Sequence, residues 1–484
     1  MSMKRWGLGW RIAIAIGLLV GVAEPAAAGL CSAQLEAAID AVIDVPPNRD
    51  RWGVLVRSLP PEGDRPVTLY AREADRFFIP ASNAKLLVTA AALRRLGPQF
   101  QIETTVYQEM ATPDAVRLRV VGRGDPSVTD AELATLAAQL KAQGIQIIDQ
   151  LWLDDQFWRG ESVPATWEWE DVQAGYGAPA TPLMVNQNAL GLTLVPQAVG
   201  QPLKVLWDSP QDALAWQVEN RSQTVAATEP EWVSVGRDFD RPVVRVAGQL
   251  QVGAPSEPVA VAVTRPTENF LRRFRQSLTN QGIEVRQAAI APQPRTDSER
   301  AIARLQSPPL VALLQEANRF SDNLYAEALL RTLGAVTDAE AETSTLEAGL
   351  EVLESTLSEL GVDPESYALV DGSGLSRQNL VSPAALVDVL TALARSPEAD
   401  LYRETLAIAG QEGTLRQRFS PDLQGQVQAK TGTLTGVSAL SGYLLRADET
   451  LVFSILVNQS DQRHADLTAQ IDQIVRLLSQ RQAC

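Results

Sequence analysis

The chain holds one histidine, His464, and two cysteines, Cys31 and Cys484, among 484 residues. A Ser-His-Asp triad would have to use His464, which stands in a polar stretch (Ser460 to Asp466) at the start of the last expected helix. No Cys and His cluster has metal-ligand spacing, so neither a metal nor a cofactor is expected, and hydrolytic chemistry here must rely on lysine. Lysine is itself scarce: Lys4, Lys85, Lys141, Lys204 and Lys430 face 37 arginines, so a lysine is seldom present merely for charge. Positive charge is short overall, with a formal net charge of -16. That sign is wrong for a phosphate-backbone binder and argues against nucleic acid as a partner.

Long apolar runs are missing after the first 28 residues, so no membrane helix is expected there. Residues 1–28 read as an export signal: Lys4, Arg5 and Arg11 are basic, Ile12 to Ala23 is apolar, and Ala26-Ala27-Ala28 offers small residues for cleavage. An uncleaved anchor is the alternative. A lipid-modified Cys31 fits less well because Leu30 is large. Cleavage would move the net charge to -18 and leave an exported protein, periplasmic or on the outer face of the cytoplasmic membrane, with peripheral or no membrane contact. In such an oxidising compartment a Cys31–Cys484 disulfide joining the termini is plausible; two unpaired thiols are the simpler alternative.

What is present centres on Pro80-Ala81-Ser82-Asn83-Ala84-Lys85, which opens an apolar helical run. A Ser followed three residues later by Lys at a helix start puts hydroxyl and amine on one face, one turn apart. That spacing suits a nucleophile and the amine that takes its proton. Taken alone, the pattern is also that of a Ser N-cap beside a solvated Lys.

Around this segment the chain reads as an insertion. A helix (Ser32 to Ile43) and two strands (Trp52 to Leu59, Val67 to Ala71) precede it. Strands at Ile102 to Tyr107 and Val116 to Val121 follow, then a helix, Gly and strand unit that recurs later with the shared wording L-x-x-Q-G-I (Leu140 to Ile145, Leu278 to Ile283). The two copies predict an inserted α/β domain, residues 102–185 and 264–296. Between them a helix-poor, alternating stretch predicts a nested small β domain, 186–263. The aromatic-rich loop Trp167 to Asn188 is expected to pack between domains or to wall a substrate. Residues 29–101 and 297–484 form the outer domain, closing with the hairpin Ser438 to Leu445 and Leu451 to Val457 and a last helix.

Three motifs occur in order: Ser82-Asn83-Ala84-Lys85, Ser321-Asp322-Asn323 and Lys430-Thr431-Gly432. This ordered set is that of penicillin-binding proteins and class A β-lactamases. Further segments narrow it: Asp371-Gly372-Ser373-Gly374-Leu375-Ser376 with Asn379 and Ser382-Pro383, Gly413-Thr414-Leu415, Ala429 to Thr433 with Ser438 to Tyr443, and Gly124-Asp125-Pro126. With them the chain resembles the D-alanyl-D-alanine carboxypeptidase/endopeptidase family of low-molecular-mass class C penicillin-binding proteins, peptidase family S13. Arg123 departs from the pattern, standing where the family's insert motif usually has Gly.

The resemblance covers essentially the whole mature chain. It implies a multi-domain α/β (α+β) fold: a serine β-lactamase/transpeptidase-like catalytic domain, an antiparallel sheet flanked by helices, carrying the two insertions. It implies peptidoglycan stem peptides ending in D-Ala-D-Ala, cross-linked muropeptides and β-lactams as partners. In chemical terms, Ser82 Oγ attacks the D-Ala-D-Ala carbonyl to give an acyl-enzyme. Lys85 can act as base only if burial and a second cation, for which Lys430 is the candidate, lower its pKa. Ser321 would return a proton to the leaving nitrogen, and Asn323 would hold either Lys85 or the substrate amide. Lys430, Thr431 and Thr433 would receive the terminal carboxylate, and Gly432 would let substrate backbone lie close. By resemblance the oxyanion hole is the N–H groups of Ser82 and Thr433. Ser373 and Ser376 read as parts of a rigid turn, and Asp171 as a candidate substrate contact from the insert. Two alternatives remain: a catalytically silent peptidoglycan-binding scaffold, against which the intact motifs argue, and a β-lactamase, against which the 239 residues from Ser82 to Ser321 and the lack of an E-x-x-L-N segment argue.

Overall fold

A computed structural model of the chain describes residues 30–46, 49–60, 65–109, 116–293, 295, 299–336, 342–419 and 421–482. The expected export signal, residues 1–28, and Cys484 lie outside the described residues. The chain divides into two compact units, one of residues 1–83, 319–321 and 380–484, the other of residues 84–318 and 322–379.

The first unit is built on a six-stranded antiparallel sheet. Its order is Ala407–Ile408, Val427–Leu434, Val437–Leu445, Thr450–Asn458, Arg51–Leu59, Val67–Arg72. Val437–Leu445 and Thr450–Asn458 are apolar on both faces and buried along almost their whole length. Strands of that kind need cover on both sides. Helices Ser32–Ile43 and His464–Ser479 pack together and bury Leu35, Ile39, Ile471 and Val475 with Val54, Val56, Leu440 and Ile455. Helix Pro383–Ala394, started by a Ser382 N-cap and Pro at its first position, packs on strands Thr450–Asn458 and Arg51–Leu59. The described ends of the chain meet: Leu30–Cys31 pairs in parallel with Arg481–Gln482, and Cys31 is disulfide-bonded.

The second unit contains a buried helical layer and three sheets. Helix Ala84–Leu96 is buried at every position from Ala84 to Leu93 and packs on helices Asn323–Ala335 and Thr345–Glu359. The latter two approach closely because Gly334 and Gly349 face each other's backbones: a Cβ on Gly349 would strike the Leu330 carbonyl.

A five-stranded mixed sheet has the order Glu284–Ile290, Ile147–Asp154, Arg117–Val121, Glu103–Glu109, Glu299–Gln306. Helices Asp130–Ala142 and Pro266–Asn280 supply Leu133, Leu136, Phe270 and Phe274 to its core. The two L-x-x-Q-G-I segments end these helices alike. Gly144 and Gly282 take positive φ (82° and 69°), and the N–H of the following Ile bonds the Leu carbonyl five residues back. The strands that follow pair with each other in parallel, Glu284 with Ile147 and Val285 with Ile148.

Two three-stranded sheets complete the unit: Glu257–Ala262, Ala189–Val195, Lys204–Trp207, and Trp232–Arg237, Val243–Gln251, Gln217–Val225. They share the core of Leu190, Leu192, Val244, Val246 and Val261.

One expected boundary moves. Glu299–Gln306, placed with the outer domain by the break at 296/297, is the fifth strand of the mixed sheet and pairs with Glu103–Glu109. A register shift between Ala301 and Ala303 breaks its alternation, which removes the strand's signature. The helix that follows Ser82 also groups with the inserted segments rather than with the six-stranded sheet.

Phe453 is fully buried in the six-stranded sheet, whereas Val67 on its edge is 56% exposed. Phe453→Ala should lower the unfolding free energy by about 3–5 kcal/mol, read from chemical denaturation. Val67→Ala should change it by less than about 0.5 kcal/mol.

Candidate active site

In the first unit, Ser82 lies in a single 3-10 turn, Ala81–Asn83, that runs directly into helix Ala84–Leu96. The turn is tied to the sheet from both sides. Asn458 accepts from Ile79 N–H at 2.7 Å and donates to the Ile79 carbonyl at 3.0 Å. Asn83 Nδ2 donates to Ser441 Oγ at 2.7 Å, which donates to Ser454 Oγ at 2.9 Å; all three residues are buried. Ser82 itself is partly exposed.

Lys430, fully buried, donates to Ser321 Oγ at 2.7 Å and to the Thr431 carbonyl at 2.9 Å. Ser321 has φ +62° and Ala81 φ +47°. Each such conformation costs about 1–3 kcal/mol and persists only where the surroundings over-determine it. Around Ser321 they do: Arg319 Nε donates to the Leu406 carbonyl at 3.1 Å, and its guanidinium also takes Glu412 and the Glu404 carbonyl. Thr431 and Thr414 join hydroxyl to hydroxyl at 2.8 Å, and Thr433 is exposed.

Gly432 departs from its expected part. It is buried, and a Cβ there would meet the Pro80 carbonyl at 2.8 Å and Ala81 Cβ at 3.2 Å. The space beside it is filled by the turn that carries Ser82, so the missing side chain seats that turn on the strand rather than making room for substrate backbone.

In the second unit, Lys85 is fully buried and donates to Asn323 Oδ1 at 2.7 Å and to the Ser373 carbonyl at 2.6 Å. Burial pushes its ammonium down to about 8, against the upward pull of the buried carboxylates Asp371, Asp322 and Glu327. Of the two causes expected from the sequence, burial and a second cation, burial is the larger. Asn323 opens helix Asn323–Ala335 behind an Asp322 N-cap, and Gln187 donates to the other Asp322 oxygen at 2.9 Å. Its Nδ2 donates to the Tyr176 carbonyl at 2.9 Å, so both ends of the Asn323 amide are committed.

The Asp371–Ser376 turn exists to present the Ser373 carbonyl. Asp371 accepts from the N–H groups of Gly374 and Ser376, from Trp167 Nε1 and from Asn379 Nδ2, at 2.7–2.9 Å. Glu327 accepts from the N–H groups of Gly372 and Ser373 at 2.8 and 2.9 Å, and its second oxygen takes Arg331 at 2.7 Å. Burial, and then Glu327, push the Asp371 carboxyl up to about 6 in spite of these donors.

The aromatic loop splits its work. Trp167 is buried against Asp371, while Trp169 and Tyr176 are 64% and 51% exposed. Asp171, partly exposed, accepts from Tyr176 OH at 3.0 Å, two bonds away from the amide of Asn323. Among the described residues no group of carboxylates, cysteines and histidine is arranged to hold a metal. His464 opens the last helix beside Thr468.

The chain matches the D-Ala-D-Ala carboxypeptidase 3 (S13) family over residues 35–481. It belongs to that family. It is 33% identical over 428 residues to a D-alanyl-D-alanine carboxypeptidase of Actinomadura sp. (strain R39), covering 84% of this chain and 78% of that protein. It is 29% identical over 458 residues to the penicillin-sensitive carboxypeptidase A of Dictyostelium discoideum, covering 89% and 87%. The solved penicillin binding protein 4 (dacB) of Haemophilus influenzae superposes with a TM-score of 0.77 at 26% identity, covering 92% of this chain and 99% of that one, and was also solved with a β-lactam.

Within this S13 chain the motif residues fall into two sets, Ser82, Ser321 and Lys430 in one compact unit and Lys85 and Asn323 in the other. Sequence reasoning missed the Ser373 carbonyl, Glu327 and Trp167. A backbone acceptor carries no residue signature, and Glu327 with Arg331 reads as an ordinary surface pair at i, i+4 although both are buried.

Asp371→Ala would leave four donors without an acceptor, each unsatisfied buried group costing about 1–3 kcal/mol. The expected loss of unfolding free energy is about 3 kcal/mol or more, measured by denaturant titration. A melt indistinguishable from the parent protein's would refute the wiring described.

Proposed function

We propose that Ser82 is the nucleophile of this serine-type D-Ala-D-Ala carboxypeptidase, that Lys85 is its base, and that the peptide bond is cut through an acyl-enzyme. The protein is a hydrolase of the S13 family, whose relatives carry the names D-alanyl-D-alanine carboxypeptidase and penicillin-sensitive carboxypeptidase.

The observation that carries the reading is the setting of Lys85. A neutral amine has two N–H groups and one lone pair. Asn323 Oδ1 and the Ser373 carbonyl accept two of its N–H groups and fix the amine's orientation, and the proposed role of its lone pair is to take the Ser82 hydroxyl proton. With its pKa pushed down to about 8, roughly a tenth of Lys85 is neutral at pH 7. An ordinary lysine would be neutral only about once in three thousand.

The steps follow. Lys85 takes the Ser82 proton as Oγ attacks the carbonyl carbon of the penultimate D-Ala. The N–H groups of Ser82 and Thr433 receive the developing oxyanion, each such donor being worth about 3 kcal/mol. As the C–N bond breaks, Ser321 gives its hydroxyl proton to the leaving amine and draws one from the Lys430 ammonium, its hydrogen-bond donor at 2.7 Å. Lys430, Thr431 and Thr433 hold the terminal carboxylate, and Asp171 contacts the peptide from the loop. Water then attacks the acyl-enzyme and releases the shortened peptide.

The substrates are peptidoglycan stem peptides ending in D-Ala-D-Ala and cross-linked muropeptides, met outside the cytoplasm after export directed by residues 1–28. A β-lactam forms the same ester on Ser82 as its ring amide bond breaks and the ring opens. Among the described residues no helix is long and apolar enough to cross a membrane. Cys31 is disulfide-bonded, and Cys484 is its proposed partner.

Intact mass measurement after incubation with benzylpenicillin should show one adduct on the parent protein and none on Ser82→Ala. Lys85→Ala should slow acylation by about 10²–10⁴-fold. Because the free amine is the active form, the second-order acylation rate should rise with pH through a midpoint near 8 and level off above it. A flat profile between pH 6 and 9, or full acylation rates in Lys85→Ala, would remove Lys85 as the base.

A further inference from the structure

The sheets formed from residues 189–262 contain no motif of the reaction, yet one face of them is fitted to the segment 171–177. Ala174 forms an antiparallel bridge with Val261. Gly175 lies flat on the strand Glu257–Ala262, where a Cβ would come within 2.6 Å of Ala260 Cβ. Gly236 leaves room for the Gln173 side chain, and Trp169 stacks on Phe239 with ring centroids 3.8 Å apart.

The polar tie among these contacts is Arg237, the last residue of the strand Trp232–Arg237, only 7% exposed. Burying a guanidinium costs free energy that an ion pair normally offsets. The adjacent carboxylate, Asp238, is held instead by Arg241 at 2.7 Å and Arg245 at 2.6 Å. Arg237 donates to carbonyl oxygens, Val172 at 2.9 Å and Asp238 at 3.3 Å, and its Nε is buried without a partner. A charged donor placed against a carbonyl of the segment 171–177 makes sense where that segment must be held still.

The same segment faces the catalytic residues on its other side. Its Tyr176 carbonyl accepts from Asn323, the residue that holds Lys85, and its Tyr176 hydroxyl fixes Asp171.

We infer that Arg237 is a positioning residue for peptide selection: by holding the Val172 carbonyl it sets the segment 171–177, and with it the Asp171 carboxylate, against the substrate. This gives the nested sheets a part in the reaction. The inference rests on the proposed contact between Asp171 and the peptide. Lys85 keeps its own two acceptors, so the consequence of losing Arg237 falls on peptide binding and not on the acylation step.

The test is steady-state hydrolysis of a stem pentapeptide ending in D-Ala-D-Ala, alongside acylation by benzylpenicillin, which lacks the peptide chain. Arg237→Met, which keeps the apolar stem and removes the donors, should raise the pentapeptide KM about tenfold, the loss of one charge-assisted hydrogen bond. The benzylpenicillin acylation rate should change by less than about twofold. Arg237→Lys, which restores a charged donor, should recover most of the KM. Asp171→Asn should raise KM as well, and the double variant should be no worse than the poorer single one, because both act through one segment.

Additive effects, or an unchanged KM in Arg237→Met beside a raised one in Asp171→Asn, overturn the positioning role alone. An unchanged KM in Asp171→Asn overturns the substrate contact beneath it. If Arg237→Met does not accumulate folded, Phe239→Ala at a partly exposed position reads the same brace; a raised KM there supports the inference and an unchanged one overturns it.

Discussion

A single buried ammonium sets the terms for the second unit of this protein. Lys85 has no exposed surface, and it donates to two neutral oxygens, the side-chain oxygen of Asn323 and the carbonyl of Ser373. Had either been a carboxylate, the pair would hold the proton on the amine and spoil the base. Three carboxylates, Asp371, Asp322 and Glu327, are near enough to pull the pKa upward, yet each has its oxygens occupied by N–H or amide donors. Their charge stabilises the lysine in its burial without forming the contact that would silence it. The balance leaves an amine whose neutral form, which escapes the desolvation cost of the charged one, is reached near neutral pH.

Holding two oxygens still explains much of the surrounding architecture. Asn323 is fixed because it starts a helix, because Asp322 caps that helix, and because the Tyr176 carbonyl takes the far end of its amide. Ser373 is fixed because Asp371 and Glu327 together accept four backbone N–H groups of a turn that contains two glycines. In the first unit the same economy recurs with a different purpose. Ser321 is held in a left-handed conformation by its neighbour Arg319, so that its hydroxyl meets the Lys430 ammonium. Asn83 and Asn458 fasten the two sides of the Ser82 turn to the sheet.

The parts legible in the sequence were those in which side chains carry the signal. Helix Thr345–Glu359 announces itself with Ser344 and Glu347, which bond each other's backbone N–H. The hairpin of Val437–Leu445 and Thr450–Asn458 is a pair of mostly apolar runs interrupted only by small polar residues such as Ser441 and Ser454. The motif residues were legible because lysine is rare and the three motifs keep their order. Strand Gln217–Val225 was not legible: Gln217, Glu219, Asn220 and Arg221 give it no alternation, and it lies at the margin of its sheet with a single partner. Gly432 was legible as a position needing a glycine but not for which reason, since only the fold brings Pro80 and Ala81 beside it.

The insertion has a physical logic of its own. A catalytic loop left to itself is mobile, because it has few apolar contacts and many exposed backbone hydrogen bonds. The loop 169–177 has this character: Trp169 and Tyr176 are mostly exposed and no regular sheet runs through it. Yet its Tyr176 hydroxyl fixes the Asp171 carboxylate, and a drift of about an ångström in such a contact is enough to lose most of what a positioning group supplies. The remedy is to back the loop with rigid structure. The strands Trp232–Arg237 and Glu257–Ala262 supply a guanidinium for one of its carbonyls and a bridge at Ala174, and Phe239, just past the first strand, stacks on Trp169. A domain with no catalytic residue of its own can therefore be retained for stiffness, and its sequence constraints should lie at the few positions that touch the loop rather than across its surface.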